Sequence, residues 1–568
     1  MKVICYRLVF LVPKCSLVLL VPQWFKKSPA IILLLLILIS SACRKNFEEI
    51  NTDPGSFTTA SDGSLFNNIV STLQLGWNEQ FYIHNEILYK QTQMAALTKE
   101  GWGNFTLGTE EIWSNYCKSL PQVRELEKRF TTYNDIYGES PGVLNMRAML
   151  KILVAYKTFR VTDLFGDMPY NQAGYGFQNL EYLRPKFDSQ RVIYLSLLDD
   201  LKWADENIDE SAPLAEPYAS FIGFDKLFNG DMKMWRKMAN SLRLRHAMRM
   251  VEKEPEIAAG IVQDIIQNDR PVFIGFSMVG PVLESACLWP AAVGFKNESV
   301  SWSFREHKNL RMGSNIWHRM SENDSADGSG IFDPRAYIFF ETNNNSLWKP
   351  YPQFPGAATP SEGGIPYDSH RDGEGAFTIK GETCLYSPLN YFLIYDPYYM
   401  PVILFTGAEI HFLKAEAWFR GIGVPVDKDM ADNEYISGVN ASVRWWKGVS
   451  DNLRLPLSGM TFPETIPIPE NLDAVSVLTR YGSFNASTEE EKLEYIYLQW
   501  MLDAFRQPWE AYALARRTGK TPHEGAPIGH FRLPYPPSEV EYNSANCAAA
   551  IAGQGGDQPE NKIWWIPD

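Results

Sequence analysis

The sequence predicts a mostly α-helical protein, and three observations carry that prediction. Apolar residues recur at helical spacing along much of the chain, for example from Met149 to Phe159 and from Tyr194 to Leu201. Capping signals, glycines and prolines frame several of these stretches. Regular alternation of apolar and polar residues, the pattern of a half-buried strand, is scarce. Helices packed on helices are therefore the expected architecture.

Several helix ends can be predicted in the C-terminal half. Thr406 to Glu409 has the spacing of a capping box and predicts a helix start, with the helix ending at Gly421. Ser487 to Glu490 predicts the start of a second helix. Pro508 should break or kink that helix, because proline lacks a backbone N–H, and Gly519 should end its continuation.

A different kind of segment separates the two helical halves. Residues 281–401 are rich in Gly, Pro, Asn and Ser, and they also carry many Trp and Tyr residues. Long loops of this kind are uncommon in compact domains and are often functional. Two interpretations of the aromatic rings stay open. The rings pin irregular loops onto the helical body, or they form stacking platforms for a ligand.

The first 42 residues have the layout of a secretory signal. They contain basic residues and no acidic residue, and an apolar run from Pro29 to Ile39 is followed by small residues and Cys43. This run is shorter than the roughly 20 residues that a membrane span needs. We expect residues 1–42 to be a signal peptide and Cys43 to be the acylated N-terminus of the mature protein, with residues 43–55 as a tether. An uncleaved anchor is the alternative, and a second apolar run at Val3 to Val21 suggests a translation start assigned too far upstream.

The chain is acidic, with 53 Lys and Arg residues against 67 Asp and Glu residues and a net charge of −14. Because nucleic acids and anionic membrane surfaces attract clusters of Lys and Arg, this balance argues against both as partners. The cysteines beyond Cys43 are far apart and form no CxxC pair, so they predict neither a disulfide framework nor a zinc site. We expect these four to be small buried residues: Cys117, Cys287, Cys384 and Cys547.

No catalytic motif is evident. Gly519-Lys520-Thr521 resembles the end of a P-loop, but Leu514 occupies the position of the required upstream glycine. A carboxylate pair for glycoside cleavage stays open, since Asp and Glu are plentiful. No cofactor is predicted, although the loop from Glu322 to Asp333 has enough Asp and Asn side chains for a structural calcium ion. The lack of a motif favours a binding protein.

Several segments match one known family when they are taken in order along the chain. They are NTDP at 51–54, VTDLFGDMPY at 161–170, GDMKMWRKMANSLRLRHAMR at 230–249, AEIHFLKAEAWFRG at 408–421, WEAYALARRTG at 509–519 and RLPYPPSEVEYN at 532–543. In this order they resemble the SusD/RagB family of outer-membrane nutrient-binding lipoproteins of Bacteroidetes. Each segment alone is weakly specific, whereas the combination is highly specific. The resemblance extends from Cys43 to the end of the chain.

The resemblance implies a single SusD-like domain over residues 56–568. Paired helices would stack as TPR-like units, and the loop-rich region 281–401 would pack on them and face a ligand. Proteins of this family are non-enzymatic lipoproteins, lipid-anchored on the outer face of the outer membrane. They deliver oligosaccharides, or in some members peptides, to a partner SusC-type TonB-dependent transporter.

Most residues of the family motifs are expected to hold the scaffold together and not to contact a ligand. Asp163, Gly166 and Asp167 should be turn and capping groups. Six further residues should join helices to one another: Trp235, Asn240, Arg243, Glu510, Arg516 and Arg517.

The binding site is expected to use aromatic rings, since family members commonly bind glycan on an arc of them with Asn or Arg beside it. The loop from Thr98 to Gly108 has the family position of such a ring, which makes Trp102 and Asn104 candidate ligand-binding residues. The loop-rich region supplies four more candidates: Trp302, Trp317, Trp348 and Tyr351. Two other classes of protein stay open, a secreted glycoside-active enzyme and a ligand-free helical scaffold of a surface complex.

Overall fold

Helices make up most of the regular structure, as the sequence predicted. The computed structural model describes residues 60–99, 105–275, 284–290, 298–322, 326–353, 363–366, 383–391, 393, 400–454, 481, 488–525 and 527–568, with the backbone alone at 137, 298 and 452–454. Residues Asp62–Asp568 belong to one compact unit. No helix among the described residues is both long enough and apolar enough to cross a bilayer.

The N-terminal part contains eight of the described α-helices, one π-helix and one short 3-10 helix. They are α1 (Asp62–Ser71), the π-helix (Glu79–Leu88), α2 (Tyr89–Thr92), α3 (Thr106–Tyr137), α4 (Pro141–Phe165), the 3-10 helix (Leu180–Leu183), α5 (Gln190–Asn207), α6 (Tyr218–Ile222), α7 (Met232–Arg249) and α8 (Pro255–Gln267).

The remaining helices lie in the loop-rich region and the C-terminal part. They are α9 (Glu298–His307), α10 (Ser314–Trp317), α11 (Ala336–Phe339), α12 (Gly407–Arg420), α13 (Lys428–Arg454), α14 (Glu489–Asp503), α15 (Pro508–Thr518), α16 (Pro537–Tyr542) and α17 (Ser544–Gly553).

The strands of the described residues form three small antiparallel sheets of two strands each. The strands are β1 (Ala96–Leu97), β2 (Met168–Pro169), β3 (Phe187–Asp188), β4 (Ser285–Leu288), β5 (Leu310–Arg311) and β6 (Val402–Thr406). β1 pairs with β5, β2 with β3, and β4 with β6. Two of these sheets therefore tie the loop-rich region to the helical body, because β5 and β4 lie within that region.

Neighbouring helices in the chain pack side by side, which gives the stacked pairs that the family resemblance implies. α4 contacts α3 and α5, α7 contacts α5 and α8, and α12 contacts α13 and α14. The apolar stripes that predicted these helices form their contacts, since Met149, Ile152, Tyr194 and Leu201 are all buried in one continuous core.

Most of the predicted helix ends are confirmed. Thr406 caps α12 by accepting a hydrogen bond from the Glu409 N–H, and Gly421 ends that helix in the left-handed conformation. The next cap differs by one residue from the prediction: Thr488, and not Ser487, caps α14, because Glu491 completes the capping box with it. The break predicted at Pro508 lies between α14 and α15.

A buried ion-pair network joins α4, α7, α12 and α15. Arg249 pairs with both Asp163 and Glu510, and Arg245 pairs with Glu409 at 2.5 Å and with Glu510 at 3.2 Å. The prediction that Asp163 is a turn or capping group is wrong, since this residue lies inside α4 with its carboxylate in the network. Breaking a buried network of this kind is costly because it leaves an unpaired charge.

Other residues of the family motifs have the scaffold roles that were expected. Gly166 ends α4 with a φ of +83°, and the Asp167 carboxylate accepts the backbone N–H of Gln190 at the start of α5 (2.8 Å). The Asn240 side chain on α7 donates to Asp205 on α5 (2.8 Å). These bonds fix the angles at which successive helices meet.

The cysteine prediction holds for three of the four residues that the structure describes. Cys287, Cys384 and Cys547 are buried, whereas Cys117 on α3 is exposed. The turn of about 100° per residue directs Cys117 to the side of α3 opposite the buried Ser119, which explains its exposure.

Candidate functional site

The structure separates the six predicted ligand-binding residues into three groups. Trp102 and Asn104 lie outside the described residues, so they stay predictions. Trp317, Trp348 and Tyr351 are 1%, 3% and 5% exposed, whereas Trp302 is 42% exposed.

The two buried tryptophans pack against each other and against the surrounding loops. The Trp317 and Trp348 rings are stacked with centroids 5.6 Å apart and planes at 11°. The Tyr337 ring meets Trp348 edge-on, and Gly328 approaches the indole so closely that a Cβ there would lie 2.7 Å from Nε1. Their faces are covered by protein, so the prediction that these rings face a ligand is wrong.

Tyr351 is likewise a core residue. Its ring meets Tyr386 edge-on at 4.8 Å between centroids, and its hydroxyl donates to the Thr98 carbonyl at 3.3 Å. The side chain therefore pins the loop-rich region to the segment that follows β1. Tyr351 therefore matches the interpretation in which aromatic rings pin loops onto the helical body, and it does not make the predicted ligand contact.

Trp302 has the exposure that a binding platform needs. It lies on α9, whose other face carries the buried Phe304. The Arg305 guanidinium lies 4.0 Å from the centroid of the Trp302 ring. A cation at this distance is attracted to the ring and holds it in place. The guanidinium therefore lies over one face of the indole ring.

α9 is held in position by its packing on the π-helix. Phe304 meets Tyr89, the first residue of α2, edge-on, and the His307 ring meets Phe81 of the π-helix edge-on at 5.0 Å between centroids. The His307 Nε2 lies 3.3 Å from a Glu86 carboxylate oxygen. Burial lowers the pKa of His307 despite that carboxylate, so its imidazole is neutral at pH 7.

Two further aromatic residues lie at the start of the π-helix and were missed as site candidates. Trp77 stacks on Phe81 with centroids 4.6 Å apart and planes at 17°, and Tyr82 meets both rings edge-on. Trp77 and Tyr82 are half-buried. Trp77, which precedes the π-helix, Tyr82 on the π-helix and Trp302 on α9 are therefore three partly exposed rings on neighbouring elements.

Both ends of the segment that contains Trp102 and Asn104 attach to these same elements. On one side, the Thr98 N–H donates to the Asn309 carbonyl (2.9 Å), directly after α9. On the other side, Gly108 at the start of α3 packs against Ile83 of the π-helix. The described residues on either side of this segment, Thr98 and Gly108, are therefore held next to α9 and the π-helix.

The described residues do not test the calcium ion that the sequence left open, so it stays a prediction. Within them, no group of three or more His, Cys, Asp or Glu side chains is placed to hold a metal ion. Both carboxylate oxygens of Asp333 accept hydrogen bonds from Arg335, at 3.0 and 2.7 Å. Residues 323–325 of that loop lie outside the described residues.

The exposed groups here are a ring and a guanidinium. An exposed indole can pack against apolar C–H faces, and a guanidinium can donate hydrogen bonds to oxygen atoms. Such a site suits a neutral ligand that has both apolar faces and hydroxyl groups.

Solved structures of known proteins share this fold. A chitin-binding protein is 21% identical, with 89% of this chain and 100% of that chain covered and a TM-score of 0.64. A SusD-like protein of Bacteroidetes is 19% identical, with 90% and 100% covered and a TM-score of 0.64. A SusD homologue from Bacteroides thetaiotaomicron is 20% identical, with 90% and 100% covered and a TM-score of 0.59.

Among curated proteins no match to the chain is found. A protein-family comparison does identify it. The SusD-like family described as "Starch-binding associating with outer membrane" matches residues 54–525. Because this match spans most of the sequence and the solved structures share the fold, the chain belongs to the SusD-like family.

Proposed function

We propose that this protein is a cell-surface lipoprotein that binds oligosaccharide, or peptide, nutrients and delivers them to a partner SusC-type TonB-dependent transporter. The SusD-like family consists of binding proteins and not of catalytic enzymes, and it is associated with the outer membrane. The ligand, the anchor and the transporter are the parts of the proposal that need experiments.

The observation that carries the ligand proposal is the exposed Trp302 ring with Arg305 beside it. Sugar rings offer apolar C–H faces that pack on an indole, and their hydroxyls accept hydrogen bonds from a guanidinium. The starch-binding description of the family and the chitin-binding protein of the same fold support an oligosaccharide as the first choice. Trp102 and Asn104 are proposed to complete the site from the adjoining loop.

Replacing Trp302 tests the ligand proposal. We expect Trp302→Ala to weaken oligosaccharide binding about fivefold or more, because an aromatic contact contributes about 1 kcal/mol beyond burial of area. Trp302→Phe should retain part of the affinity. Binding would be measured by affinity gel electrophoresis and calorimetry with soluble starch and chitin oligosaccharides.

The matched control is Trp203→Ala. Trp203 is a half-buried indole with the Lys151 ammonium 5.5 Å from its ring centroid, but it lies on α5, away from α9. This change should leave binding unaltered. Equal retardation of the wild type and Trp302→Ala would refute the site. Failure of the wild-type protein to bind any oligosaccharide or peptide would favour a ligand-free scaffold.

The anchor proposal rests on Cys43, which follows an apolar run and small residues in the order of a lipoprotein signal. A single acyl chain binds membranes only weakly, so stable anchoring needs more than one chain or a second contact. Multiple acylation at Cys43 would supply the additional acyl chains, and a transporter partner would supply the second contact.

One experiment addresses the anchor and the partner together. We expect the tagged wild-type protein to fractionate with the outer membrane, to be cleaved by protease added to intact cells, and to co-purify in detergent with a TonB-dependent transporter. Cys43→Ser should release the protein from the membrane. Protection from protease in intact cells would refute surface display, and purification without any transporter would refute the partner.

A further inference from the structure

The segment between β2 and β3 exposes three large apolar side chains within seven residues. Phe177, Leu180 and Leu183 are 60%, 78% and 66% exposed. The two leucines begin and end the 3-10 helix, of which no residue is buried. Because residues three apart are eclipsed in a 3-10 helix, Leu180 and Leu183 lie on the same side of it. We call these three residues the apolar tip.

The backbone around the apolar tip is held in place by its own contacts. The Asn179 N–H donates to the Tyr175 carbonyl at 3.0 Å, and the Asn179 side chain accepts the Glu181 N–H at 3.1 Å. A Cβ on Gly176 would lie 2.7 Å from Leu183, so the two halves of the segment pack on each other. The apolar tip is therefore a built projection of the surface.

The base of this projection is attached to the C-terminal helices. The Asn543 side chain, between α16 and α17, donates to the Pro185 carbonyl at 2.8 Å. The Asn546 side chain of α17 donates to the Arg184 carbonyl at 3.0 Å. These two bonds hold the chain directly after Leu183, so the exposed leucines are carried by a firmly attached segment.

Two basic side chains follow the apolar tip. Arg184 and Lys186 are exposed, and neither forms an ion pair with a described residue. Glu181 is the only acidic residue from 176 to 186, whereas the chain as a whole has a net charge of −14. Basic side chains next to apolar ones are attracted to the phosphate groups of anionic lipids. Local charge therefore favours a lipid surface at this position.

The apolar tip also lies near the start of the folded chain. The Tyr175 hydroxyl donates to Glu127 of α3 at 3.4 Å, and Arg129, two residues further on α3, pairs with Asp62 of α1 at 2.8 Å. The described chain begins 17 residues after Cys43, a span of at most about 60 Å. An acyl group on Cys43 would therefore keep this stretch of α3 within reach of the bilayer.

We propose that the apolar tip inserts into the acyl layer of an anionic lipid bilayer, with Arg184 and Lys186 on the headgroups. The proposal rests on the surface lipoprotein proposed above, and it supplies a second membrane contact beside the lipid anchor. A bilayer accepts a projecting tip of any shape, whereas a protein partner needs a complementary surface.

The contact is weak when it acts alone. The three side chains of the apolar tip have about as many carbon atoms as one myristoyl chain, which binds membranes with roughly 10⁴ M⁻¹. The apolar tip therefore orients an anchored protein on the bilayer, and the acyl chains hold it there. Release of the Cys43→Ser protein from cell membranes is consistent with this division.

Vesicle flotation tests the proposal on the full mature chain with Cys43→Ser, which has no acyl group. We expect this chain to float with vesicles of phosphatidylethanolamine and cardiolipin. Adding Leu180→Ser and Leu183→Ser should lower the affinity for these vesicles at least fivefold. Val426→Ser is the matched control, since Val426 is 59% exposed but lies in the turn between α12 and α13. All of these side chains are exposed, so the melting temperature should not change.

A second pair of changes tests the headgroup contact. Arg184→Gln with Lys186→Gln should remove the preference for cardiolipin vesicles over neutral phosphatidylcholine vesicles, because the phosphate groups then lose their basic partners. Weak binding to neutral vesicles should remain, since the apolar tip is intact. A preference for cardiolipin that survives both changes would contradict the assigned headgroup contact.

Three results would overturn the proposal. The first is that the Cys43→Ser chain does not float, or floats equally with both leucines replaced. The second is that the leucine changes abolish co-purification with the transporter and leave vesicle binding unaltered, which would make the apolar tip a protein contact. The third is a wild-type dimer that the leucine changes dissociate, which would make the occupant a second copy.

Failure of the proposed function gives a different result. If the acylated protein is absent from the outer membrane or binds no nutrient, the flotation of the Cys43→Ser chain is unaffected. Conversely, the leucine changes in the acylated protein should leave oligosaccharide binding unaltered. The two proposals can therefore be refuted independently of each other.

Discussion

Glu416 on α12 is a fully buried carboxylate held between two arginines. Arg517 donates to both of its oxygens, at 2.7 and 2.6 Å, Arg420 donates at 2.8 Å, and the Tyr497 hydroxyl donates at 2.9 Å. Burial alone would raise the pKa of this group, but the two guanidiniums outweigh it and lower the pKa of Glu416 to about 2. The carboxylate therefore stays charged and joins α12 to α14 and α15.

This low pKa predicts a loss of stability in acid. A carboxyl whose pKa is lowered on folding stabilises the fold above its unfolded pKa of 4.5, and this contribution disappears as the pH falls towards 2. The loss is on the order of 3 kcal/mol. Glu416→Gln should reduce the free energy of unfolding at pH 7 by about 3–5 kcal/mol, because Arg517 is then buried without an anion.

Urea unfolding at pH values from 7 to 3 measures this effect. Glu416→Gln should also remove the share of the acid sensitivity that comes from this group. Glu490→Gln is the control. Glu490 lies on the exposed start of α14 and pairs with Lys520, and the loss of this exposed ion pair should change the free energy of unfolding little. An unchanged stability of Glu416→Gln at pH 7 would contradict the role of this ion pair.

At the same scale, the sequence indicated that the candidate site uses aromatic residues, but it did not indicate which of them are exposed. Trp302, Trp317 and Trp348 have similar Gly-, Asn- and Ser-rich surroundings in the sequence. Their exposure is decided by tertiary contacts: two of them stack on each other, whereas Trp302 points away from the core that Phe304 enters. Local composition has no information on such contacts.

At the scale of elements, helix ends followed from the sequence because their signals are local. A cap, a proline or a glycine acts within one turn, so the bounds of α12 and α15 were predictable. The shift from Ser487 to Thr488 has a local cause as well. Both residues can cap a helix, and the reciprocal hydrogen bond from Glu491 selects the second.

The π-helix could not be predicted from helical periodicity, since its backbone bonds connect residues five apart. Its side chains follow the same spacing. Gln80 donates to Asn85 at 2.8 Å, and the His84 Nε2 lies 3.4 Å from a Glu79 oxygen, each pair five residues apart. Burial lowers the pKa of His84, so this ring is neutral at pH 7. His84 contacts Trp509 of α15 and Glu79 pairs with Arg160 of α4, so this polar face holds the π-helix against the helical body.

At the scale of the whole molecule, the C-terminal segment returns to the N-terminal helices. The Leu533 N–H donates to the Leu164 carbonyl at 2.7 Å, and the Tyr535 hydroxyl donates to the Asp167 carbonyl at 2.5 Å. Trp565 then donates from Nε1 to Asp163 at 2.8 Å. Helical periodicity does not predict contacts between residues so far apart in the sequence. The family motifs that contain several of these residues were nevertheless recognised.

These long-range contacts predict that Trp565 stabilises the whole helical body. Trp565→Ala should lower the free energy of unfolding by about 3–5 kcal/mol, because it removes a fully buried ring and a hydrogen bond to Asp163. Trp564→Ala is the adjacent control, and its half-buried ring should cost clearly less. Urea denaturation followed by circular dichroism measures both. Equal losses for the two variants would mean that burial of Trp565 does not link the C-terminal segment to α4.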